Sequence, residues 1–354
     1  MTLTGRDAPA PLLVLRALGL GDLLTAVPAL RALARAFPER RRVLAMPQAL
    51  APLVELIGTD PRRAPYGGDR AIDAIVPLPA AVAGRAPAPD TAAQLPRGAL
   101  AVNLHGRGPE SHRLLLAAAP AYLIAFRHRD VLQTVGSPPW EPGEHEVARW
   151  CRLLCAHGIA ADPAALDLML SGSTRDRSGP TLIHPGAASA ARRWPPARWA
   201  AVARGEVARG RAVLVTGSEA EAPLAVRIAA AADLPADAVR AGRTDLRGLV
   251  ALVAGAGRVA CADTGVAHLA TALRVPSVIL FGPTSPAAWG PPPERPWHRA
   301  LWCGRIGDPH ASSPDRGLLE LTPADVLAAL ADLPEPPAPH TATSPRPRYA
   351  LSTS

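Results

Sequence analysis

Residues 12–37, LLVLRALGLGDLLTAVPALRALARAF, decide the fold class. The run opens with apolar residues that do not alternate with polar ones, as expected of a strand covered on both faces, and Gly19 and Gly21 form the turn behind it. From about Asp22 to Phe37 the residues Leu23, Val27, Leu30, Leu33 and Ala34 fall at helical spacing, and Pro38 ends the helix. A buried strand feeding an amphipathic helix is the opening unit of a parallel sheet with crossover helices. The same rhythm predicts strands at 43–46, 71–77 and 100–104 with a helix at 51–57. It resumes with strands at 181–184, 212–216, 258–262 and 277–281 and helices at 196–209, 222–232 and 263–273. The expected architecture is α/β, two domains whose parallel sheets face a central cleft. They span residues 1–174 and 175–333 and are joined at the small, charged segment GSTRDRSG (172–179). A Pro-rich tail, 334–354, is expected to be disordered.

Composition removes several function classes. The chain has 354 residues, 48% apolar and 19% charged, enough for two packed cores. All 38 basic side chains are arginine. Without lysine there is no Schiff-base chemistry and no phosphate-reaching P-loop lysine. The net charge of +8 is spread over both halves, and with 4% aromatic residues no arginine–aromatic interleaving suits nucleic acid. No uncharged stretch reaches the roughly 20 residues that cross a bilayer. Cys151, Cys155, Cys261 and Cys303 form no C-x-x-C pair and have no neighbours that complete a ligand set, so packed thiols and no metal site are expected, with Cys151 and Cys155 buried on one helix face. A cytoplasmic protein is expected, with peripheral contact at the inner face of a membrane left open.

Three segments at strand ends carry chemistry. In RALGLGDLL (16–24), Asp22 stands at a helix start, either capping free amides or facing the cleft to take a proton. The two roles compete, because a carboxylate held by several N–H groups has a lowered pKa. In HPGAASAARRWPP (184–196), a small-residue loop bearing Gly186 follows His184 and could admit phosphate oxygens, with Arg192 and Arg193 supplying fork-shaped donors and Trp194 packing beneath. In ADTGVAH (262–268), the amides of Thr264 and Gly265, the threonine hydroxyl and the helix dipole converge on a point suited to an anion, with His268 one turn on. Glu221, after another strand, could accept ribose hydroxyls. Leu24 stands where a dinucleotide fingerprint needs its third glycine, which counts against a dehydrogenase, and no Asp-x-Asp is present to hold a metal diphosphate.

Taken in order, RALGLGDLLTAVPALRAL, HPGAASAARRWPPARWA and ADTGVAHLATALRVPSVILFGPTSPAAWGP resemble glycosyltransferase family 9, the ADP-heptose:lipopolysaccharide heptosyltransferases and their relatives. The resemblance implies a GT-B fold of two Rossmann-like domains and metal-independent, inverting sugar transfer with no cofactor. The donor would be a nucleotide sugar such as ADP-heptose on the second domain, and the acceptor a glycan or glycolipid on the first. It matches Asp22 to a general base, Arg192 to a donor-phosphate contact, and Asp263, Thr264, Gly265 and His268 to the donor motif. His184, Gly186 and Arg193 join the donor side. Glu221 fits the ribose position, with Glu219 competing for it. Gly19, Gly21, Asn103 and His105 fall on the acceptor side, where the family often has aspartate in place of Asn103. The alternative function is a nucleotide-sugar-binding module without turnover.

Overall fold

The computed structural model describes residues 9–62, 69–79, 89–168, 170 and 178–336. The first lobe runs β1 (Leu12–Leu15), α1 (Leu20–Ala36), β2 (Arg42–Met46), α2 (Ala51–Val54), β3 (Ala74–Pro77), α3 (Pro89–Ala93), β4 (Leu100–Asn103), α4 (Glu110–Ala117), β5 (Tyr122–Ile124) and α5 (Glu146–Cys155). The second continues with β6 (Thr181–His184), α6 (Pro196–Ala208), β7 (Val213–Val215), α7 (Ala222–Ala231), α8 (Leu246–Ala254), β8 (Arg258–Ala262) and α9 (Gly265–Ala272). It ends with β9 (Ser277–Leu280), α10 (Pro286–Trp289), β10 (His298–Leu301), α11 (Arg316–Glu320) and α12 (Pro323–Ala331).

Each lobe holds one five-stranded sheet, ordered β3-β2-β1-β4-β5 and β10-β9-β8-β6-β7, and every pairing within them is parallel. β1 and β8 are buried at almost every residue, as their unalternating apolar sequences require. The strand order reverses between β1 and β4 in one sheet and between β6 and β8 in the other. At such switch points successive loops leave the carboxyl ends in opposite directions and open a crevice.

Several boundaries differ from expectation for local reasons. α1 begins at Leu20 with Gly19 as its cap, so Asp22 lies inside the first turn. α9 begins at Gly265, and Thr264 before it is extended. β3 starts at Ala74; just before it Asp73 donates its backbone N–H to the Arg42 carbonyl at 2.9 Å, and its Oδ2 accepts the Arg42 backbone N–H and Nε, both at 2.8 Å. α2 is a single turn ending at Val54. Cys155, at the last residue of α5, is exposed, and only Cys151 packs inward. Burial pushes the Cys151 thiol up to about 12, so it is inert. The segment 171–177, with the expected domain boundary and most of the linker, and residues 337–354 of the tail lie outside the described residues.

The lobes do not meet through a thin hinge. α1 packs along α9, and a single apolar cluster joins Leu23, Val27 and Leu30 of α1 to Val266 and Leu269 of α9 and Val253 of α8. Burying each such side chain is worth about 1.5–3 kcal/mol, so this helix pair fixes how the two crevices sit against one another. A backbone bond from Leu168 N–H to Ala272 O at 2.7 Å closes the contact at the helix end.

Candidate active site

The first crevice is organised by a residue that the sequence hid. Arg16 immediately follows β1 and is buried. Its Nε donates to the Asp22 carbonyl at 2.9 Å and its Nη1 to the Leu104 carbonyl at 2.5 Å, while Nη2 faces Glu146 Oε1 at 3.0 Å, Thr25 Oγ1 at 3.2 Å and Asp22 Oδ1 at 3.4 Å. The Trp150 ring lies against the guanidinium, 4.8 Å from its centroid. A buried cation is tolerated when it is paired and hydrogen-bonded, and here each guanidinium nitrogen has at least one acceptor.

Asp22 carries out a modest version of the capping role. One side-chain oxygen accepts the Gly19 N–H at 3.1 Å. Burial raises the Asp22 pKa; Arg16 opposes the rise, Glu146 adds to it, and the Gly19 and Asp22 N–H groups oppose it without reversing it. Cap and base are therefore compatible in this carboxylate.

At the end of β4, His105 Nδ1 accepts the Ala17 N–H at 3.1 Å, which leaves the ring proton on Nε2. Burial, aided by Arg16, lowers its pKa to about 4, so the imidazole is neutral at pH 7. Asn103 requires a correction. It is fully buried, its Oδ1 accepts the His105 N–H at 2.8 Å, and its Nδ2 reaches Ser111 Oγ and His112 Nδ1, both at 2.9 Å. Every polar atom of its amide is engaged inside the fold, so Asn103 shapes the turn that carries His105 and presents nothing to an acceptor.

In the second crevice, Asp263 follows β8 and Arg192 approaches from the loop after β6. Arg192 Nη1 donates to the Asp263 carbonyl at 3.1 Å and lies 3.9 Å from Asp263 Oδ2. Burial pushes Asp263 up to about 6, an effect Arg192 only partly offsets. The Thr264 hydroxyl and Arg192 Nε are buried without protein partners, beside the free amides that open α9. Arg193 Nε is tied to the Ala187 carbonyl at 2.9 Å. Trp194 is buried and packs edge-to-face with Trp199 at 5.0 Å, beneath the loop as its sequence context predicts.

A groove of about 670 Å³ runs beside this loop, lined by Ala187, Arg193, Ser218, Glu221 and Arg227 among others. Glu221 lies in it and Glu219 does not. Burial raises the Glu221 pKa, but bonds from the Ser218 N–H (2.8 Å) and Oγ (2.9 Å) and the nearby His184 and Arg193 outweigh this, and the net shift is downward. The carboxylate stays charged. A Cβ on Gly186 would lie 2.0 Å from Glu221 Oε1, so only glycine leaves that carboxylate in place.

The two crevices touch. A Cβ on Gly21 would stand 2.7 Å from His268 Cδ2, and one on Gly265 would stand 2.8 Å from Leu20 Cβ. The first turns of α1 and α9 thus meet over two glycines, with Asp22 next in sequence to Gly21. His268 stacks edge-on to Trp289 at 6.0 Å, and burial, with His145 and Arg16 nearby, lowers its pKa to about 4. Sequence reasoning missed Arg16, His145 and Glu146. A charge ending an all-apolar strand was a usable signal for Arg16; nothing local marks the other two.

Comparison with known proteins agrees with this architecture. Residues 137–307 match the model of glycosyltransferase family 9 (heptosyltransferase). Over 98 residues the chain is 42% identical to lipopolysaccharide heptosyltransferase 1 of Pseudomonas aeruginosa, covering 27% of each. Over 150 residues it is 32% identical to lipopolysaccharide heptosyltransferase 2 of Salmonella typhimurium, covering 40% of this chain and 43% of that protein. The matched segments thus span less than half the length of these curated relatives. Over 91% of this chain and 98% of the other, the fold superposes on Escherichia coli ADP-heptose lps heptosyltransferase II with a TM-score of 0.68 at 20% identity. The two parallel-sheet lobes form a GT-B fold. Among the described residues no helix is long and apolar enough to cross a membrane, and no three His, Cys, Asp or Glu cluster to hold a metal.

Proposed function

We propose that the protein is an inverting, metal-independent glycosyltransferase that moves a sugar from a nucleoside-diphosphate donor to a hydroxyl of a glycan or glycolipid. The single observation supporting this is the contact between the first turns of α1 and α9, which brings the helix turn bearing a carboxylate with a raised pKa up to an anion-suited helix terminus. The relatives' names, lipopolysaccharide heptosyltransferases, point to heptose and a lipopolysaccharide acceptor, and the name of the superposed ADP-heptose lps heptosyltransferase II points to ADP.

In this reading the diphosphate rests on the α9 amides and Arg192, and the nucleoside occupies the groove bearing Glu221. As the glycosidic bond stretches, negative charge grows on the leaving oxygens. Fixed dipoles and the guanidinium stabilise it without reorganising, a role a metal plays elsewhere. Asp22 deprotonates the acceptor hydroxyl as it attacks from the opposite face, so configuration inverts. His105, neutral and with a free Nε2–H, would steer an acceptor oxygen. The reaction belongs in the cytoplasm, at the inner membrane face where a lipid-linked acceptor is reachable.

The test is ADP release from ADP-heptose with and without extracted lipopolysaccharide core, in EDTA, alongside calorimetry with ADP. Turnover in EDTA that Asp22→Asn abolishes supports the proposal. ADP binding without turnover would make the protein a nucleotide-sugar-binding module, and loss of turnover in EDTA would sink metal independence.

A further inference from the structure

Donor counting at Arg16 assigns a role to a residue outside both crevices. Nη2 carries two hydrogens and faces three oxygens, in order of distance Glu146 Oε1, Thr25 Oγ1 and Asp22 Oδ1. The Thr25 hydroxyl spends its own proton on the Asp22 carbonyl at 2.9 Å, so toward Arg16 it can only accept. Glu146 is buried and anchored from three sides, by Arg16, by Trp150 Nε1 at 3.0 Å and by Arg149 Nη1. Asp22, the outermost of the three acceptors, is left at 3.4 Å, beyond the usual range of a charge-assisted bond.

We propose that Glu146 is a positioning residue for the reaction: it holds Arg16 from behind, so that the guanidinium orients Asp22 without closing onto it as a full ion pair. The inference rests on the reading of Asp22 as the base. A carboxylate locked to a guanidinium would be too weak a base, and one with no cation nearby would lose its orientation. Glu146 and Thr25 together leave Asp22 between those extremes.

The other titratable groups of the packed elements are accounted for. His105, from the end of β4, and His268, from α9, have pKa values near 4 and are uncharged through neutral pH. His145, at the cap of α5, has both ring nitrogens engaged: Nδ1 accepts the Val147 N–H at 3.3 Å and Nε2 bonds the Gly290 carbonyl at 2.9 Å. Arg149 is turned onto Glu146.

Carbon-detected NMR of protein labelled with carboxyl-13C aspartate reads the Asp22 titration directly, its signal assigned by its loss in Asp22→Asn. In Glu146→Gln the Asp22 midpoint should fall by about one pH unit, the lower end of the effect of an undivided neighbouring cation. Thr25→Val, which removes the second competing acceptor at nearly constant shape, should lower it by a smaller amount. Glu146→Asp, which restores the charge, should return it toward wild type. The acid limb of ADP release from ADP-heptose should move with the NMR midpoint. A midpoint within about 0.3 unit of wild type in Glu146→Gln overturns the inference. If that variant does not fold, an unchanged midpoint in Thr25→Val does the same. Failure of the base reading looks different: Asp22→Asn would keep releasing ADP while the NMR midpoints still shifted.

Discussion

Both crevices hold an arginine–aspartate pair at the point where strand order reverses, and the two pairs are built inside out relative to each other. In the first lobe Arg16 is the inner partner, its side chain 0% exposed, and Asp22 the outer one at 27%. In the second, Asp263 is inner at 7% and Arg192 outer at 25%. The inner member is fixed by the fold and the outer member is what a ligand meets. In the proposed reading one lobe offers an anion that can receive a proton, and the other a cation that can hold a leaving group. The inner partners also differ in cost. Arg16 has four acceptors within 3.2 Å, whereas Asp263 lies buried beside a single guanidinium and its carboxyl is pushed up to about 6.

The sharpest way to break this comparison is at the outer carboxylate. Asp22→Asn should lower turnover of ADP-heptose by ~10²- to 10⁴-fold while ADP affinity stays as in wild type. Equal turnover would remove Asp22 from the chemistry.

The inner carboxylate gives the next largest effect. Asp263 has a folded pKa of about 6 against an ordinary 3.8, so the folded state binds the extra proton. Its contribution to stability is full below about pH 4 and is lost as pH rises through about 6. Urea unfolding should show wild type losing up to about 3 kcal/mol relative to Asp263→Asn between those limits, and parallel pH profiles would contradict it.

At the outer cation, Arg192→Ala should weaken ADP binding by ~1.5–3 kcal/mol with the fold intact, read by calorimetry. The contact between the pairs is probed by Gly21→Ala, whose methyl would meet the His268 ring. Overpacking there should cost about 1–3 kcal/mol of stability, and a neutral substitution would mean that the α1 and α9 turns are less closely apposed than described. The smallest effect is expected far from both crevices, at the exposed lobe-to-lobe pair Arg247–Glu55, separated by 2.6 Å. Arg247→Ala should change stability by no more than about 0.5 kcal/mol.

Local patterns made much of this legible. β1 and β8 are short apolar runs with no alternation, and Gly19 and Gly21, like Gly265, mark turns where backbones come close, so the strand-turn-helix units and the 263–268 site could be read from neighbours in sequence. Legibility failed where a residue's meaning depends on distant chain. Asn103 reads as a cleft residue because it ends a strand, yet Ser111 and His112 on α4 consume its amide. β5 and β10 lie at sheet edges and carry exposed residues such as Tyr122 and Arg299, so no apolar run marks them, and they exist because a neighbouring strand is there to pair with.

The sequence alone determined the two parallel α/β lobes, the absence of lysine chemistry and the strand-turn-helix at 262–268, because hydrophobic period, residue inventory and turn chemistry are properties of contiguous residues. Only the tertiary structure decided which charge each lobe presents. Arg16 and Glu146 are 130 residues apart and meet at 3.0 Å, and whether an ion faces water or the core is set by what packs over it, which no local pattern specifies.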